Sequence, residues 1–489
     1  MKLQVIVYFE VFLLSIIILN SLQSSVFAQS NLQLEWEQHW ETYGTGGTCN
    51  FGTHNFFVGD IDQDGITELI TGGMMYEDPE HTYLELYAPL KIWNWNNEVF
   101  TLEKQHNWTG VLRSIYAADP DEDGVLELIT AGSENNENGT TPTLSVWSWD
   151  NVDLVLKDSF AGISVGSIFV GNLDGIGSSE IVTAGTLREN STTYAQLSIW
   201  SWDGTSLDLI DTTLWCASNR AAANSVYVYD LDNDGVSEIV TGGYDNDLMN
   251  SSGQLRIWNW DGTNLELKAN KEWRLVEGVY GTTITGDPMG NTLVNNLKVG
   301  DVDGDGVAEI ITVGFTYDNE KIMGQIGIWN WNGELVSLEE RYEWMTKDIT
   351  EIKALYLADV NNDDQLEIIT SGATAVFGGF SADAPPEFSQ LRVWSWNGQD
   401  LSLDYSEEWT IGEGVMAWNV AADDIDQDGT VEIITVGCMY VAALCDPDLR
   451  IWSIPSDSSN LYLPILVVGA IAILVITVIL VKRKKEDVN

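Results

Sequence analysis

Residues 301–314 read DVDGDGVAEIITVG. Carboxylates stand at alternate positions, a glycine and a glutamate follow, and an apolar run ends in glycine. Alone, the stretch fits half an EF-hand, a metal-free acidic turn, or a calcium loop of another fold. Its surroundings separate these readings. An EF-hand needs a helix on each side and a bidentate glutamate at position twelve. Here position twelve is Thr312, within a β-branched run, so the EF-hand reading fails.

The stretch recurs. DIDQDGITE begins at Asp60, DPDEDGVLE at Asp119, NLDGIGSSE at Asn172, DLDNDGVSE at Asp230, DVNNDDQLE at Asp359 and DIDQDGTVE at Asp424. With the copy at Asp301 there are seven, spaced by 59, 53, 58, 71, 58 and 65 residues. Each is followed by a run such as ELITGG or EIITVG. A second motif keeps step: KIWNW, SVWSW, SIWSW, RIWNW, GIWNW, RVWSW and RIWSI place their first tryptophan at 93, 147, 200, 258, 329, 394 and 452. In five repeats that tryptophan lies 28 residues after the first motif begins. Two motifs in register seven times mark an array of like units.

Within a unit the periodicity is that of strands, because short β-branched and aromatic runs alternate with Gly, Asn and Asp clusters. Asp203-Gly204, Asp261-Gly262, Asn332-Gly333 and Asn397-Gly398 follow the tryptophans and read as hairpin turns. One strand runs into the acidic motif, a second leaves it, a third carries the tryptophans and a fourth follows the turn. Four antiparallel strands in seven units predict an all-β, seven-bladed β-propeller. The last unit stops after its third strand, near Ile454. LQLEWEQHW, residues 32–40, resembles the other fourth strands, so it is expected to complete the last blade. Such closure hides an otherwise exposed edge.

The acidic spacing has a mechanical reason. Calcium takes six to eight oxygens, and a tight loop offers side chains at positions one, three and five and a carbonyl at seven. The expected ligands are Asp60, Asp62, Asp64, Ile66 (carbonyl) and Glu68; Asp119, Asp121, Asp123, Val125 and Glu127; and Asp230, Asp232, Asp234, Val236 and Glu238. Later in the chain they are Asp301, Asp303, Asp305, Val307 and Glu309; Asp359, Asn361, Asp363, Gln365 and Glu367; and Asp424, Asp426, Asp428, Thr430 and Glu432. In the sixth loop Asn361 replaces an aspartate and Asp364 stands where the others have glycine. The third loop begins with Asn172 and has Ile176 at position five, so it is expected to bind no metal. About five to six calcium sites result.

The D-x-D-x-D-G loops, each followed by an apolar strand and glycine, resemble the FG-GAP repeats of the integrin α-subunit propeller. They also look like the related FG-GAP/VCBS-type repeat proteins of bacteria and archaea. The likeness covers roughly residues 32–454. It implies calcium in these loops and a role in adhesion or recognition. The chain departs from integrins in lacking leg domains after the propeller and in having Glu at position nine.

Composition and the chain ends give the setting. Acids number 74 against 22 lysines and arginines, which argues against nucleic acid as a partner. Residues 1–28 read as a secretory signal, with an apolar run over Val11–Leu19 and Val26-Phe27-Ala28 before the cleavage point. Residues 29–454 form the propeller and 455–460 a short linker. Leu461–Val481 is an uncharged stretch long enough to span a bilayer, and the basic tail, residues 482–489, starts with Lys482-Arg483-Lys484-Lys485, which marks the cytoplasmic side. The expectation is a single-pass type I membrane protein with an extracellular propeller. That compartment suits a Cys438–Cys445 disulfide and glycans at Asn107, Asn138, Asn190 and Asn250.

Strand counting puts the acidic loops on the face where the chain leaves for the membrane. Variable loops such as GSENNENGTTPT lie on the opposite face, where an extracellular protein or glycan would be recognised. Tryptophans at matching positions are expected to pack between blades. No catalytic motif is present, so the reading is a binder, with a polysaccharide-degrading propeller enzyme or a scaffold of a surface assembly as alternatives.

Overall fold

A computed structural model describes residues 32–39, 56–73, 75–76, 86–96, 99–136, 139–149, 153–217, 219–247, 250–274, 292–318, 321–375, 387–412, 414–441 and 444–455. The expected signal, membrane segment and basic tail, Cys49 and Asn138 lie outside these residues. Among the described residues no helix is long and apolar enough to cross a membrane. Leu34–Ser453 forms one compact unit, and its regular structure is β-strand throughout.

The fifth blade shows the plan. Thr292–Gly300, Glu309–Asp318, Lys321–Trp331 and Val336–Trp344 pair antiparallel in chain order. The same four-strand meander recurs from Phe56 to Trp409, giving six blades. The seventh consists of Gly414–Asp423, Glu432–Val441 and Leu444–Ser453, with Gln33–His39 as its fourth strand. The closing strand expected at residues 32–40 is therefore in place. Arg450 Nη1 holds Glu37 Oε2 across it at 2.9 Å, and Trp36 packs edge-on against Trp95 and Phe100 of the first blade, at 5.6 and 5.4 Å.

The first strands of successive blades touch in sequence, and Phe56–Gly59 of the first touches Gly414–Asp423 of the last. The ring is closed, and the chain is a β-propeller. Inner-strand side chains fill its centre. Phe57, Tyr116, Phe169 and Tyr227 follow one another at 6.1, 5.6 and 4.7 Å between rings. The partly buried Lys298 ammonium then lies 5.1 Å from the ring centre of Tyr227 and 5.6 Å from that of Tyr356.

Cores form between blades as well as within them. The first motif tryptophan donates its indole N–H to the threonine of its own second strand in all seven blades. Trp93 to Thr71, Trp200 to Thr183 and Trp329 to Thr312 are 3.0, 2.9 and 2.9 Å, and the other four match. The second tryptophan packs on the preceding blade, as Trp149 does with Ile61, Trp260 with Leu173 and Trp396 with Val302. Both sets are buried, so packing, and not an exposed stacking platform, explains their spacing.

A third tryptophan set ties neighbouring blades. Trp215, Trp273 and Trp344, at fourth-strand ends, donate to Gln254, Gln325 and Gln390 of the next blade at 2.8, 3.0 and 3.3 Å. In the last case of this kind Trp409 donates to Asp448 at 3.0 Å.

Cys438 is disulfide-bonded; the Cys445 side chain lies outside the described residues. Asn190, at a hairpin tip, and Asn107, on a fourth strand, are exposed. Asn250 begins the strand Asn250–Trp260, and its side chain is not among those described.

Candidate metal sites

The seven acidic loops share one backbone course, set by two left-handed residues. Position six is left-handed at Gly65, Gly124, Gly235, Gly306 and Gly429, with φ between 88 and 91°. Asp364 takes the same region at φ 67°, so the sixth loop keeps its turn without glycine. Position four is left-handed as well, at Gln63, Glu122, Asn233, Asn362 and Gln427. The first aspartate closes the turn with both oxygens. Asp301 accepts from the N–H groups of Asp305 and Gly306 at 3.1 and 2.9 Å. Asp60, Asp119, Asp230, Asp359 and Asp424 do the same.

Position nine turns inward from the start of the second strand. Glu68, Glu127, Glu238, Glu309, Glu367 and Glu432 are at most 5% exposed. One oxygen of Glu68 accepts the Ile61 N–H at 2.9 Å, and Glu238, Glu309, Glu367 and Glu432 repeat this. Glu127 cannot, because position two is Pro120, which has no N–H; its Oε2 is buried without a partner. Glu68 Oε1 is likewise buried and unpartnered. Burial raises these carboxyls, with the neighbouring loop aspartates adding to the effect, to about 8 for Glu68, Glu309 and Glu432 and about 7 for Glu127 and Glu238. A nearby cation would offset both causes.

Positions one, three and nine converge. Ligand oxygens of Asp60, Asp62 and Glu68 lie within 4.8 Å of one another, as do those of Asp119, Asp121 and Glu127, of Asp301, Asp303 and Glu309, and of Asp424, Asp426 and Glu432. In the fourth loop the group is Asp230, Asp232 and Asp234. These five groups could hold a metal ion, and their donors are all hard oxygens, suited to calcium or magnesium rather than zinc or copper.

The position-five carboxylates also bond to their own loops. The carboxylates of Asp64, Asp123, Asp234, Asp305, Asp363 and Asp428 accept the N–H of Ile66, Val125, Val236, Val307, Gln365 and Thr430, at 2.8 to 3.0 Å. Among the described residues the third and sixth loops form no group of three. In the third, Asn172 donates to the Gly177 carbonyl at 3.0 Å. In the sixth, the Asn361 amide donates to Glu367 at 2.6 Å and so occupies a carboxylate oxygen that the other loops leave open.

The sites also face the next blade. A Cβ on Gly204 or Gly398 would lie 2.6 Å from an oxygen of Asp121 or Asp303, so these turns approach the loops as only glycine allows. The amides of Gln63, Asn233 and Asn362 donate to the position-six carbonyls of the following loops, Gly124, Gly306 and Gly429, at 3.0, 3.5 and 3.2 Å. Gln427 does the same to Gly65, linking the last loop to the first. These links were not readable from the metal spacing, although amides at position four were a signal.

No family model and no curated protein sequence matches the chain. Solved structures similar to it include an exotype rhamnogalacturonan lyase, YesX, at 13% identity and a TM-score of 0.43, covering 87% of this chain and 74% of that one. The Dos1 propeller is similar at 12% identity and a TM-score of 0.44, covering 87% and 96%. A chain of Chaetomium thermophilum Polycomb Repressive Complex 2, bound to GSK126, is similar at 8% identity and a TM-score of 0.49, covering 87% and 99%.

Proposed function

We propose that the protein is a calcium-binding propeller of the FG-GAP/VCBS type, held at the cell surface by its C-terminal apolar segment, that recognises a protein or glycan. One observation carries the metal reading: the same three-carboxylate group forms at the same loop in the first, second, fifth and seventh blades, with a variant in the fourth. Glu68 Oε1, buried and unpartnered, points to a ligand that supplies positive charge. The ions stiffen the loops at one end of the blades and leave the opposite end for recognition.

Recognition by the opposite end is supported by the division of the loops. Acidic loops are alike in course, while the connections between second and third strands differ in length and sequence, as binding loops on a rigid scaffold do. The test is a glycan and cell-surface array probed with the full-length protein in calcium and in chelator. Binding that survives exchange of those variable loops would contradict the placement. Turnover of a polysaccharide on the array would replace the binder reading with an enzymatic one.

A further inference from the structure

Six blades break register at one shared place. The fourth strand carries one residue more than its partner, opposite the step into the first motif tryptophan. In the first blade Leu102 pairs Trp93 and Lys104 pairs Ile92, leaving Glu103 between them. The same break isolates Lys157, Ile210, Lys268, Glu339 and Asp404 in the second to sixth blades. In the closing strand the matching residue is Glu35, since Leu-Gln-Leu-Glu aligns with Leu-Ser-Leu-Asp of the sixth blade. A bulge re-aims the extra side chain.

Where the bulge residue is an acid, it faces the metal loop of its own blade. Burial and then the charges of Asp62 and Asp64 raise Glu103, and burial and then those of Asp303 and Asp305 raise Glu339. Glu35 lines one pocket with Asp426 and Glu432, together with Trp36 and Trp95. At the same position the second and fourth blades carry Lys157 and Lys268; the Lys268 ammonium also holds Glu266 at 2.8 Å. The third loop, which has lost its ligand group, has Ile210 there.

We propose that the bulge residue grades the metal sites, so that Glu103, Glu339 and Glu35 make tight sites in the first, fifth and seventh blades. Lys157 and Lys268 make weak ones in the second and fourth. This rests on the metal reading above. The physical cause is charge: a carboxylate beside a divalent ion attracts it, and an ammonium repels it. The effect is greatest at low ionic strength, where partly exposed charges are least screened. The five sites then respond to calcium in two concentration ranges, that of the closing blade in the lower one.

Calorimetric titration of the full-length protein with calcium, at low salt, tests this. Three sites should bind at least about tenfold more tightly than two others. Glu339→Lys should move one site from the tight class to the weak, and Lys268→Glu one site the other way. The second change is a gain that misfolding cannot mimic. Five equivalent sites, or no redistribution in either variant, would overturn the grading while leaving metal binding intact. Absence of calcium binding in every variant would instead overturn the metal reading itself.

Discussion

At the scale of single residues, two repeated pairs do most to define the fold. The first is the indole N–H of the first tryptophan on the second-strand threonine. Its repetition explains why ITxG and IWxW keep step in sequence: the two strands pair so that Thr312 and Trp329, 17 apart, meet at 2.9 Å. Replacing Thr312 by valine keeps the shape and removes the acceptor, leaving a buried donor unpaired. The expected cost is about 1–3 kcal/mol, read as the change in unfolding free energy in urea. The second pair is the inward glutamate and the backbone of loop position two. These glutamates bear on pH dependence. Their folded pKa values, raised to about 7 or 8 in six loops, exceed those of an unfolded chain. The metal-free protein therefore keeps their full contribution only below the unfolded glutamate range, and loses it as pH rises through 7 to 8. Melting temperature in chelator should fall from pH 5 to pH 8, and calcium should remove most of that fall. A flat profile in chelator would contradict the assignment of these side chains.

At the scale of elements, the blade plan was legible and its irregularities were not. Strand identity and order followed from the alternation of apolar runs with turn residues, and the closing role of the segment around Trp36 followed from its likeness to other fourth strands. The Asp/Asn-Gly turns do connect third and fourth strands, but as four-residue loops. Asp203 accepts the N–H of Thr205 and of Ser206, at 2.9 and 2.7 Å, so the aspartate caps the loop and Gly204 alone supplies the left-handed step at φ 84°. The bulge in the fourth strand has no composition signal, since its residue is an acid, a lysine or an isoleucine. Only pairing shows it. The ligand groups also vary in a way the shared spacing hides: positions one, three and nine converge in four loops, and positions one, three and five in the fourth-blade loop.

At the scale of the whole molecule, the loops act as a ring. Each acidic loop touches the next blade through a tryptophan, a turn glycine or an amide, and Gln427 carries the chain of contacts from the seventh loop back to the first. A cation bound in one loop would therefore steady a joint between blades. The acid excess makes such ions matter, because the formal net charge is −52 and self-repulsion opposes compaction. Five divalent ions, at two charges each, would offset roughly ten of these charges. On the proposed reading, five of the seven loops hold a divalent cation. Native mass spectrometry of the full-length protein, exchanged into calcium, tests it most directly. Five bound ions per chain are expected, falling to four in Asp301→Asn; a chain that carries none would overturn the metal reading.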